Sequence, residues 1–119
     1  GTKNSRVRKA TAMRSMQARK QENMENSLVA RAAALRETYL DAQRKVALFD
    51  SVLVPKARQT LALVQDAYAN TKASVLDFLD AQRMLMYLEV ALARQIARRE
   101  TVAGRIDMLT GSPRQSEGL

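Results

Sequence analysis

The chain has 119 residues, one domain of ordinary size, with 4% aromatics and no Trp, Cys or His. The missing Cys excludes a disulfide frame and thiolate chemistry, and the missing His removes the commonest metal ligand and general base. The net charge of +8 belongs to one end: Lys3, Arg6, Arg8, Lys9, Arg14, Arg19 and Lys20 fall in residues 1–20 without an acid, and the other 13 basic and 12 acidic residues nearly cancel.

Hydrophobic residues make up 46%, much of it Ala, Leu, Val and Met. That mix favours long helices with narrow seams over a core of large rings. A seam two helices wide buries little per residue, so self-association is expected. No run approaches the roughly 18 to 20 apolar residues of a membrane-spanning helix. No apolar signal region follows the basic start. The chain opens Gly-Thr-Lys-Asn without Met, so it is expected to be part of a longer protein.

Residues 1–6 read as a disordered start. Over residues 7 to about 23 helix propensity is good but the apolar positions are sparse. From Leu28 the pattern tightens: Leu28, Ala32, Leu35, Tyr39, Ala42, Val46, Phe49 and Leu53 alternate steps of four and three, which is heptad spacing. The series continues through Ala57, Leu61, Val64 and Tyr68, with a stutter at 53–57–61. A smaller stripe runs beside it at Val29, Ala33, Leu40, Ala47 and Val54.

Pro55 falls inside this pattern. An interior proline removes one backbone hydrogen bond and costs about 3 kcal/mol. The apolar pattern crosses Pro55 without a gap, and no Gly flanks it. A kinked, continuous helix is therefore expected, with a break and restart at Pro55 as the alternative.

A reversal is expected over residues 70–73, with Asn70 in the left-handed conformation that ends a helix. Ser74 then restarts the helix as N-cap, with Asp77 placed to reach back to it. The second helix, 74–110, carries one seam at Phe78, Ala81, Leu85, Leu88, Leu92 and Ile96. Another runs through Val75, Leu79, Met86, Val90, Ala93 and Ala97. Gly111 and Pro113 end it, and residues 112–119 read as a loose tail. The expected fold is all-α: a long antiparallel coiled-coil hairpin, 7–69 against 74–110, that self-associates into a helical bundle. Partner positions should sum to about 144, which brings Asp50 near Arg94, Arg44 near Glu100 and Lys56 near Glu89.

Several of these residues carry a resemblance. The chain holds Leu53-Val54-Pro55-Lys56-Ala57, then Ala67-Tyr68. After the turn comes Ser74-Val75-Leu76-Asp77-Phe78-Leu79-Asp80-Ala81-Gln82-Arg83, and finally Leu109-Thr110-Gly111. In this order and spacing, residues 46–111 resemble the C-terminal end of the TolC-type outer membrane efflux protein family, of its metal- and drug-efflux type. Residues 7–45 match only in helical character. Thr71 stands where that family usually has Gly.

The resemblance implies a homotrimeric parent in the outer membrane, this segment being the last hairpin of its periplasmic α-barrel. The parent would be the exit duct of a tripartite efflux pump. It would meet a periplasmic adaptor (membrane fusion) protein directly and an inner-membrane pump indirectly. No nucleophile–base pair, metal cluster or phosphate loop is visible in the sequence, so no enzyme activity, cofactor or metal is expected. Tyr68, Asn70, Thr71, Asp77 and Asp80 would sit at the tip and channel entrance, and Lys72 and Ser74 would meet the adaptor. By symmetry Asp77 and Asp80 would form acidic rings, which favour cations. The chain alone is expected to form a homodimer.

The same residues have plainer readings. Asp77 can serve only as the capping-box acid of Ser74. Asp80 can pair with Arg83 three residues on. Tyr68 can be a seam residue with a wet hydroxyl, and the Met residues can be seam filler. The basic start permits a nucleic-acid-binding protein, and the heptads permit a stand-alone coiled-coil scaffold. No aromatics interleave the basic residues, so nucleic acid is not the expected partner.

Overall fold

A computed structural model describes residues 1–111. It is all-α: two long helices of 68 and 36 residues packed antiparallel as an extended hairpin. The first consists of α1 (Thr2–Leu48), a single π turn (Phe49–Leu53) and α2 (Val54–Ala69). The second is α3 (Val75–Thr110). The principal extents are 100 × 34 × 16 Å, so the molecule is a rod. No helix among the described residues is long and apolar enough to cross a membrane.

Residues 2–54 contain neither Gly nor Pro, so nothing in them interrupts the α-helical ladder. The helix accordingly starts at Thr2, where residues 1–6 read as a disordered start. The expected tail, 112–119, lies outside the described residues.

The expected seam of the first helix is the one that faces α3. Leu35, Tyr39, Val46, Phe49, Leu53, Leu61 and Val64 are half-buried, Ala42 and Ala57 are buried, and so is Val54 from the smaller stripe. Leu28 is not covered. Residues 1–31 are all exposed, because α3 ends where Met108 and Leu109 meet Arg31 and Leu35 across a shallow hollow of about 450 Å³. The arm beyond that point has no packing partner among the described residues.

The π turn answers the question posed by Pro55. The helix is continuous, and the rephasing precedes the proline. The Val54 amide bonds back to the Phe49 carbonyl, five residues away instead of four. Proline's missing N–H therefore falls where the ladder is already changing phase. The turn also corrects the apolar pattern. Phe49 and Ala57 are eight residues apart, which overshoots two α turns of 3.6 residues each. A π turn holds about one residue more than an α turn, so both side chains stay on the buried face.

On α3 the seam runs through Phe78, Ala81, Leu85, Leu88 and Leu92 as expected, then departs from expectation. Ile96 is exposed. The half-buried positions are instead Gln95 and Arg99, leading to buried Val102 and Ala103 and then Ile106 and Leu109. Two polar residues at seam positions hid the last third of the stripe. The Arg99 guanidinium donates to Gln43 Oε1 across the hairpin at 3.0 Å and to Glu100 beside it at 3.3 Å. The second stripe of α3 is exposed along its length.

The register agrees with a sum near 144, since Gln43 meets Arg99. The charge partner of Glu89 is Arg58, at 3.5 Å, in place of Lys56. Both ends are well exposed, so this pair contributes little stability. Asp41 and Lys45 form a further pair along α1 at 3.0 Å. That hydrogen bond holds the Asp41 carboxyl below its ordinary range.

Candidate functional site

The seven residues singled out at the tip are brought together at one end of the rod. All seven are exposed. They fall into two local structures, one ending α2 and one opening α3.

The end of α2 is a Schellman motif. The Lys72 amide donates to the Ala67 carbonyl at 2.7 Å, and the Thr71 amide donates to the Tyr68 carbonyl at 3.1 Å. The motif requires its linking residue in the left-handed region. That residue is Thr71, with φ at 58°; Asn70, expected there, has φ −96° and ψ 15°. Asn70 contributes differently: its side-chain Nδ2 donates to the Asp66 carbonyl at 2.9 Å, beside its own backbone amide at 3.1 Å. Thr71 Oγ1 donates to the Asn70 carbonyl at 2.7 Å.

A β-branched residue pays for this conformation. The left-handed region costs an L-residue roughly 1–2 kcal/mol, which Gly avoids, while Gly loses about 0.5–1 kcal/mol more chain entropy on folding. Thr71→Gly is therefore expected to stabilise the hairpin by about 1 kcal/mol. Urea unfolding followed by circular dichroism measures it; equal or lower stability would refute strain at Thr71.

Ser74 and Asp77 open α3 as a reciprocal capping box. The Asp77 amide donates to Ser74 Oγ at 3.1 Å, and the Ser74 amide donates to Asp77 Oδ2 at 3.0 Å. Two donors at a helix start are satisfied at once. The Ser74 backbone and side-chain hydrogen bonds hold the Asp77 carboxyl below its ordinary range. A depressed folded value adds stability above the ordinary carboxylate range, and this is lost as pH falls through the folded value. Ser74→Ala should cost about 1 kcal/mol. Asp77→Asn should flatten the acid-side loss of helicity at the start of α3, read by amide resonances of residues 75–79; an unchanged acid transition would count against the box as its source.

Tyr68 and Phe78 stack across the reversal, with ring centroids 5.5 Å apart and planes at 18°. Tyr68 closes the apolar stripe of the first helix and Phe78 opens that of the second. Their numbers sum to within two of the expected register, so the pairing was open to inference from sequence and was missed. The stack ties the turn to the rod while leaving Tyr68 44% exposed. Asp80 forms no ion pair with Arg83 or any other described residue.

Chemically, the tip is a rigid polar cap with one ring pair beneath it. Lys72 is its cation, and Asp66, Asp77 and Asp80 are the acids around it. Among the described residues no cluster of three metal-ligating side chains occurs. The hollow at the opposite end of α3 is lined by Arg31, Leu35, Arg105, Met108 and Leu109, with neither a nucleophile nor a base. No family model matches the chain, and neither curated proteins nor solved structures give a match.

Proposed function

We propose that this hairpin is a periplasmic α-barrel segment of an outer membrane efflux channel, the exit duct of a tripartite pump. The observation that carries this reading is the reversal. Ala67-Tyr68, a short turn, and the run Ser74 to Arg83 stand at the end of a rod 100 Å long. Exposed apolar stripes on the rod, including Val75, Leu79, Met86 and Val90, suit helices set between neighbours in a barrel wall. The duct is passive and its subunits form a trimer in the full-length protein, whereas the chain alone dimerises. Asp80, which has no ion-pair partner among the described residues, is the better entrance residue. Asp77 is engaged by Ser74 through one carboxylate oxygen. Lys72 and Ser74 face the adaptor.

The reading is tested by titrating the labelled chain with the helical hairpin of a periplasmic adaptor protein. Shifts confined to residues 68–80, lost in Lys72→Glu, support it. No shift at the tip, or shifts spread along the rod, would overturn it.

A second reading rests on the arm. Its seven cations lie on an exposed helix with no acid among residues 1–20, which suits a polyanion such as nucleic acid. Binding to generic duplex DNA across a salt series decides it: a steep loss of affinity with salt supports this reading, and no binding removes it.

A further inference from the structure

We infer that the exposed face of α3 pairs with the same face of a second copy, parallel and in register. The inference rests on the self-association named above and not on transport.

Val75, Leu79, Met86, Val90, Ala93 and Ala97 form one stripe about 60° wide, at about 100° per residue. All six are exposed, with Met86 at 64% and Val90 at 50%. The stripe lies on the side of α3 away from the hairpin seam, so the hairpin itself cannot cover it. Small Ala93 and Ala97 let two backbones approach closely.

The charges beside the stripe select both occupant and orientation. One flank carries Gln82, Glu89 and Glu100. The other carries Arg83, Arg94, Arg98 and Arg105, with Asp80 as its one acid. In a parallel two-fold pair, each flank meets the opposite flank of the other copy. Residue i then lies across from residue i+5, which sets Glu89 against Arg94 of the second copy. In an antiparallel pair each flank meets itself, which takes Glu89 away from Arg94 and sets arginines mostly against arginines. A second copy laid parallel therefore satisfies the pattern and an antiparallel one is repelled. Glu89 keeps its 3.5 Å contact with Arg58 on the hairpin side and has a second carboxylate oxygen to offer.

Because the protein has no Cys, a single introduced thiol reports the geometry cleanly. In a parallel, in-register pair each stripe position faces its own copy, within reach of a disulfide. Ala93→Cys and Ala97→Cys are each expected to give covalent dimers on mild oxidation of the full chain. Met84→Cys, exposed on another side of α3, is expected to give none. Arg94→Glu should weaken the dimer about tenfold by sedimentation, and Glu89→Arg combined with it should restore affinity. A monomeric chain overturns the inference together with self-association. A dimer in which Ala93→Cys and Ala97→Cys oxidise no faster than Met84→Cys overturns the pairing alone, and so does failure of the charge swap to restore affinity.

Discussion

Deleting Ser51 should destabilise the hairpin by about 3 kcal/mol, and adding Pro55→Ala to the deletion should recover most of that loss. The deletion removes the extra residue that the π turn holds. Phe49 and the residue now at Ala57 become seven apart, which fits two α turns of 3.6 residues each. The apolar face stays in phase, so packing survives. What fails is the proline, which then stands in an ordinary α ladder and clashes with the carbonyl four residues before it. Pro55→Ala alone should change little, because the eight-residue spacing from Phe49 to Ala57 still demands the wide turn. The three variants are compared by urea unfolding. If Pro55→Ala proved as stabilising in the intact chain as in the deletion, proline and not spacing would be the origin of the π turn.

The second large effect is expected at Ala42, the one fully buried residue among those described, with 0% exposure. It lies within the seam where Val102 and Ala103 are also buried, so the two helices meet there over small side chains. Ala42→Leu should cost about 2 kcal/mol, since the added atoms must push the backbones apart or strain the rotamer. Thermal unfolding of the variant measures it. Leu35→Ala, at a half-buried position near the end of α3, should cost less, because its side chain is already partly in water. The reverse ranking would place the tightest packing elsewhere.

The hairpin was legible because its cause is periodic. Heptad spacing from Leu35 to Val64 and the matching stripe on α3 each identify one buried face, and two faces joined by a short turn permit one arrangement. The π turn was foreshadowed by the same numbers. A run of four-residue steps through Leu53, Ala57 and Leu61 leaves one residue over, and the helix stores it in a wide turn. The lower seam was not legible, because Gln95 and Arg99 read as surface residues. Arg99 is held by Gln43 on the other helix, which a local pattern cannot see. At the tip, Ser74 and Asp77 showed their capping geometry from spacing alone. The left-handed residue was misplaced by one. Intrinsic preference favours Asn70, but the Schellman bonds from Thr71 to Tyr68 and Lys72 to Ala67 fix the position by counting from the helix end.

The uncovered arm also makes the chain an electrical object. Seven cations and no acid occupy residues 1–20, while around the tip Asp66, Asp77 and Asp80 outnumber Lys72. These opposite charges lie toward opposite ends of a rod whose long axis is 100 Å, about ten screening lengths at 0.1 M salt. Within one molecule the ends are therefore mutually invisible. In dilute salt, where screening reaches about 30 Å, the rod carries a large permanent dipole moment along its axis. It should align in an applied field, with a transient birefringence that collapses as salt is raised.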